Sequence, residues 1–104
     1  MRNSHDFTII NRKDRQILKD ILPLAKPLSI FIEPTNICNF RCAPCVHGND
    51  KTRNDLKPLM HMDMKLFHKV VNDIKSWEGN KPKLIRLAAL GEPLLHPNFL
   101  DMVR

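Results

Sequence analysis

Cys38, Cys42 and Cys45 are the only cysteines in the chain, and all three fall within eight residues of one another. They follow a C-x3-C-x2-C spacing: Cys38-Asn39-Phe40-Arg41-Cys42-Ala43-Pro44-Cys45. A secreted disulfide framework normally has an even number of cysteines, spread along the chain. Clustered thiols in a reducing compartment more often bind metal. Three thiolates on one tight loop can serve a single object the size of an iron–sulfur cubane. A fully ligated [4Fe-4S] cluster takes four thiolates, so three leave one iron without a protein ligand. An open coordination position is what separates reactive metal sites from closed structural ones.

Two other readings of the same thiols compete. They could be core residues, since free cysteine packs as a small hydrophobe. They could form a zinc site, with His47 or His61 as the fourth ligand. However, His47 is only two residues past Cys45, and the chain lacks the separated C-x2-C pairs of standard zinc modules.

A second group of residues lies further on. Leu90-Gly91-Glu92-Pro93 directly follows an apolar run, and the string continues Leu94-Leu95-His96-Pro97. Alone, a Gly-Glu at a strand end reads as a turn with a solvated carboxylate.

Taken together, these segments resemble the radical S-adenosylmethionine superfamily. The resemblance rests on C-x3-C-x2-C in the loop after the first strand, on Glu33-Pro34-Thr35-Asn36-Ile37 leading into it, and on Gly91-Glu92-Pro93-Leu94-Leu95-His96-Pro97. It covers roughly residues 28–104 and includes members that carry a C-terminal auxiliary-cluster (SPASM-type) domain. It implies that Cys38, Cys42 and Cys45 ligate three irons of a [4Fe-4S] cluster, while the fourth iron chelates S-adenosylmethionine. Reductive cleavage would then give methionine and a 5′-deoxyadenosyl radical that abstracts hydrogen from a substrate. It further implies an electron donor such as flavodoxin or ferredoxin. Gly91 and Glu92 would match the second and third residues of the family's Gly-Gly-Glu element, which contacts the amino group of S-adenosylmethionine; the resemblance thus implies that Gly91 lets the ligand approach the backbone and that Glu92 pairs with its ammonium. Leu90 stands in place of the first glycine. Pro44 occupies the position, often aromatic in the family, that lies near the adenine. It offers a flat apolar face and no backbone N–H.

Several elements must position these residues. Leu28–Glu33 alternates as a strand, with Leu28, Ile30 and Ile32 on one side, and Pro34 ends it. Residues 35–61 read as a long polar loop, and loops of that length are usually functional or disordered. Met64–Glu78 reads as a helix, with Met64, Phe67, Val70, Val71, Ile74 and Trp77 at spacings of three and four. Asp63 is its N-cap, Met62 a staple onto Phe67, and Gly79 its C-terminal residue. Lys83–Leu90 reads as a second strand, apolar enough to be covered on both faces. A last helix is expected from Pro97, with Leu100 and Val103 inward.

The fold class is therefore α/β: the first two βα units of an incomplete TIM-like barrel, in which both motifs leave strands at the C-terminal face. The domain division is 1–27, an N-terminal helical extension, and 28–104, a partial core truncated at its C-terminus. In the extension, Asn11 and Asp14 would start a helix with Ile17, Leu18, Ile21 and Leu22 as its stripe and Pro23 as its stop.

With 17 Lys and Arg against 11 Asp and Glu, the net charge is +6. The basic residues are scattered, and no stacking platform of aromatics is evident, so nucleic acid is not the expected partner. A small basic zinc module contacting nucleic acid is the alternative class, and an inactive isolated fragment is another. Lys51, Arg53 and Lys57 suit either an anionic substrate or a solvated loop. No apolar run reaches the roughly 18 residues of a membrane span, and no secretory signal is visible, so no membrane partner and a cytoplasmic location are expected. His5 and His68 have no spacing partner, and His96 reads as a helix-start residue.

Overall fold

The alternation of apolar residues around Ile30 and Ile32 produces a strand, β1 (Ser29–Phe31), which pairs in parallel with β2 (Leu84–Arg86). The register sets Ser29 against Leu84, Ile30 against Ile85 and Phe31 against Arg86. The ladder extends through Lys83 N–H to the Leu28 carbonyl (2.8 Å) and Ile32 N–H to the Arg86 carbonyl (2.9 Å). The computed structural model describes residues 16–104. Within them the helices are α1 (Asp50–Asn54), α2 (Met64–Ser76) and α3 (Phe99–Met102).

Helix α2 connects the two strands and covers one face of the sheet. Its start follows from Asp63, whose carboxylate accepts the Lys65 N–H (2.8 Å). A side-chain acceptor there satisfies one of the helix's orphan donors. Beyond its end, Gly79 takes φ 77°, the left-handed conformation expected of it. The core joins Ile32 of the first strand, Phe67 of α2 and Met102 of α3, all buried. Ile30, Met62, Met64, Val70, Val71 and Leu87 pack around them, so Met62 and Phe67 share one cluster as the staple requires. Each large apolar side chain buried in this way contributes about 2 kcal/mol.

The strands are shorter than the apolar runs imply, because pairing ends where the chain turns into the two loops. The second strand is covered on one face, not both. Ile85 is 41% exposed, and the opposite face carries an exposed Phe31 with Arg86 stacked 5.0 Å from its ring centroid. Trp77 is not in the core. It ends α2 as its C-cap, half-buried, with Lys26 Nζ 5.6 Å from its ring centroid.

The last helix starts two residues later than Pro97 and turns a different face inward. Met102 is buried, while Leu100 and Val103 are exposed. The expected leading helix falls partly outside the described residues, Asn11 and Asp14 among them. The described part is a 3₁₀ turn at Leu18–Asp20, with Ile17, Leu18 and Leu22 exposed. Among the described residues, no helix is long and apolar enough to cross a membrane.

Candidate functional site

Residues 35–61 leave the end of β1, carry the three cysteines and return. Their base is tied shut by Thr35 and Asn36. Thr35 forms an isolated antiparallel bridge with His61 and is 2% exposed. Its hydroxyl donates to the Met60 carbonyl (3.1 Å) and accepts the Ile37 N–H (3.1 Å). The same oxygen lies 2.9 Å from His61 Nδ1, and with its one proton already given to Met60, it accepts from that nitrogen.

Asn36 spans the gap with both ends of its amide. Its Oδ1 accepts the Met60 N–H (2.7 Å), and its Nδ2 donates to the carbonyls of Pro58 (3.1 Å) and Leu56 (3.4 Å). Backbone bonds from Asn36 N–H to Met60 (3.3 Å) and from Met62 N–H to Pro34 (2.7 Å) complete the closure. The loop is not without secondary structure. It holds a 3₁₀ turn at Val46–Gly48 and helix α1, which Asn49 caps through the Thr52 N–H (3.1 Å).

The cysteines sit on the far side of this closure. None is in a disulfide; Cys42 is exposed, and Cys38 and Cys45 are half-buried. Cys45 N–H donates to the Cys42 carbonyl (2.9 Å), making a turn with Ala43 and Pro44 in the middle. Pro44 costs the turn nothing, because the closing N–H belongs to Cys45.

The chain then folds back on itself. Gly48 N–H bonds the Cys45 carbonyl (2.8 Å), and a Cβ at Gly48 would stand 2.3 Å from the Cys42 oxygen. Arg41, between the first two cysteines, reaches Asp50 Oδ1 (2.9 Å) and the His47 carbonyl (3.3 Å). That ion pair is exposed on both sides and adds little, about 0.5 kcal/mol.

The second motif lies against the first. Glu92 N–H donates to the Ile37 carbonyl (2.8 Å), one residue before Cys38. Gly91 packs so closely that an added Cβ would stand 1.8 Å from the Thr35 oxygen. Its lack of a side chain is therefore required by the neighbouring backbone, a reason the sequence reading assigned to a ligand. Glu33, at the end of β1, holds the same turn from the other side. Its Oε1 accepts the N–H groups of Leu90 (2.6 Å) and Gly91 (3.0 Å). Glu92 Oε1 accepts the Leu94 N–H (3.1 Å) and caps the turn Pro93–Leu95.

Sequence reasoning placed Glu33, Thr35 and Asn36 only in a flanking string and did not see these roles. Apart from the local bond of the Thr35 hydroxyl with the Ile37 N–H, their partners lie 20 to 58 residues away, beyond the reach of any local spacing. His96 is not the cap of α3 that the sequence suggested: it closes the turn Pro93–Leu95 as its C-cap, Asn98 is the N-cap of α3, and His96 Nδ1 accepts the Asn98 N–H (3.0 Å). A shallow cavity of about 240 Å³ opens beside the loop base, between Glu33, Asn36, His61 and Leu66.

Among the described residues, no three His, Cys, Asp or Glu side chains gather tightly enough to hold a single metal ion. A mononuclear zinc site requires such gathering, because every ligand bonds the same ion. A cubane does not, since each thiolate goes to a different iron. His61 is engaged with Thr35, and its ring meets that of His96 edge-on at 5.2 Å. In the chemistry of its donors, three thiols outside any disulfide on one short loop, this segment fits an iron–sulfur cluster.

Among curated proteins, the chain is similar to the tungsten-containing aldehyde ferredoxin oxidoreductase cofactor-modifying protein of Pyrococcus furiosus. The two are 35% identical over 77 residues, which cover 72% of this chain and 19% of that protein. The chain thus spans about a fifth of the length of the curated relative it matches. No family model matches the chain. No solved structure matches it either.

Proposed function

We propose that this chain is part of a radical S-adenosylmethionine enzyme, with Cys38, Cys42 and Cys45 as the ligands of a [4Fe-4S] cluster. One observation carries the reading above the rest. The cysteine loop and the Gly91-Glu92 turn, distant in sequence, are joined through Glu92 N–H and the Ile37 carbonyl at 2.8 Å. A thiol-rich loop and an acidic turn side by side at the ends of two parallel strands suit a ligand held partly by iron and partly by protein. The parallel pair joined through α2 agrees with the opening βα units of a TIM-like barrel. The Pyrococcus relative is named as a modifier of an oxidoreductase cofactor, which supports a modifying chemistry.

When bound, the cluster supplies the electron for reductive cleavage of S-adenosylmethionine. The chain's own residues bind and orient. Cys38, Cys42 and Cys45 would hold the cluster, and the Cys45 N–H to Cys42 carbonyl bond keeps two of these ligands on one turn. Glu92 keeps one carboxylate oxygen on the Leu94 N–H and brings its negative charge to the ammonium of S-adenosylmethionine. Pro44, exposed at the tip, gives an apolar surface for the adenine. Lys51, Arg53 and Lys57, just past the thiols, favour an anionic substrate, and a flavodoxin or ferredoxin is the class of electron donor.

The test is anaerobic reconstitution with iron and sulfide, followed by low-temperature EPR of the dithionite-reduced protein. The expected result is a [4Fe-4S]⁺ signal that shifts when S-adenosylmethionine is added and disappears in Cys→Ala variants. Zinc bound in place of iron and sulfide would overturn the proposal.

A further inference from the structure

The cysteine loop buries one side chain and gives it no partner. His47 is 1% exposed, and neither Nδ1 nor Nε2 has a hydrogen-bond partner. The other two imidazoles near the loop base are engaged. His61 Nδ1 meets the Thr35 hydroxyl, and His96 uses both nitrogens, toward the Met62 carbonyl (2.9 Å) and the Asn98 N–H. A buried polar group without a partner loses its hydration and gains nothing in return. Such an orphan marks a place where something is expected to bind.

The position of His47 narrows what that is. It is two residues past Cys45, inside the 3₁₀ turn Val46–Gly48. The backbone on its C-terminal side is pressed onto the Cys42 carbonyl at Gly48, and its own carbonyl takes Arg41 Nη1. The backbone around His47 is thus packed against the segment 41–45, which carries two of the three thiols. Whatever its tautomer, a neutral imidazole keeps one N–H donor. The acceptors that a loaded loop would add are sulfur atoms: thiolates and cluster sulfides, all electron-rich.

We propose that His47 donates a hydrogen bond to a sulfur of the bound cluster and so raises its reduction potential. The inference rests on the cluster reading above. Its physical basis is that reduction adds negative charge to the cluster, and a donor aimed at sulfur stabilises the reduced form more than the oxidised one. His47 is thus a positioning residue, not a ligand.

The experiment compares the full chain with its His47→Leu and His47→Gln variants. Each is reconstituted with iron and sulfide, and the reduced cluster is followed by EPR in a redox titration without S-adenosylmethionine. Iron and sulfide content should match the parent in both variants. His47→Leu should titrate at a more negative potential than the parent, while His47→Gln, which keeps an N–H donor, should lie nearer to it. Before loading, His47→Leu should melt at or above the parent temperature, because it removes an orphaned polar group. Where a variant does not fold, pulsed EPR of the parent carrying ¹⁵N-labelled histidine takes its place and should show a weak nitrogen coupling to the cluster.

An unchanged potential in a fully loaded His47→Leu variant, or no nitrogen coupling in the parent, would overturn the inference and leave the cluster reading standing. Loss of iron in both variants would make His47 a ligand and also overturn it. A parent that takes up no iron and sulfide would overturn both, and that result is visible before any substitution is made.

Discussion

The base and the tip of the cysteine loop are built on opposite principles. At the base, Thr35 and Asn36 commit hydroxyl, amide oxygen and amide nitrogen to backbone groups of residues 56–60 and 37, and Thr35 is buried. At the tip, three thiols carry no disulfide, one imidazole is buried without a partner, and a single backbone bond closes the Cys42–Cys45 turn. The difference teaches where stability and chemistry have been separated. The base holds its geometry with the chain's own groups. At the tip the backbone is held by short-range bonds, Gly48 N–H to the Cys45 carbonyl and Arg41 to Asp50, while the thiols and the His47 ring take no part in them.

Substitutions at base and tip should therefore behave differently, and the largest effect belongs to the base. Gly91→Ala drives a methyl group into the Thr35 carbonyl, which neither backbone can avoid. It should cost about 3 kcal/mol or more in chemical denaturation. A near-neutral result would break the claim that the two loops are fitted backbone to backbone. Next comes Glu33→Ala, which strips a charged acceptor from the N–H groups of Leu90 and Gly91. A loss of about 2 kcal/mol is expected in the same measurement, with Glu33→Gln retaining part of it.

Asn36→Ala should lose about 1.5 kcal/mol and speed amide hydrogen exchange at Met60, whose N–H it leaves without its acceptor. The smallest effect on folding belongs to the tip. Cys42→Ala, at an exposed position, should change stability by no more than about 0.5 kcal/mol. It should nonetheless abolish iron uptake on reconstitution, measured as bound iron and sulfide per chain. A large stability loss there would show that the tip is structural after all.

The same separation explains what could be read in the sequence. Asp63, Gly79 and the Phe67–Ile74 stripe were legible because a helix encodes its caps and its buried face within a few residues. The parallel pairing of the two strands was legible from their order and the helix between them. Glu33, Thr35 and Asn36 were not, since each acts on backbone groups far along the chain, and a polar residue in a polar loop announces nothing. Gly91 was singled out for a reason other than the one the structure shows, because a close approach to a ligand and a close approach to another strand of backbone demand the same residue. The burial of His47 had no signature at all, as histidine in a charged stretch reads as solvated. The inward face of α3 was misjudged because four residues are too few to establish a helical period.

The Asn36 clamp has a consequence for how such loops can be altered. A segment fastened where it leaves and where it returns behaves as a cassette, whose contents can be lengthened without dislodging the frame. The cost of extra residues in a closed loop grows only slowly, by about 0.6 kcal/mol for each doubling of length. Between α1 and the clamp's contact with Leu56 lies the exposed Asp55, a natural seam. A variable insert grafted at that seam would remain tethered beside the thiols, so new binding surface can be added there without rebuilding the frame.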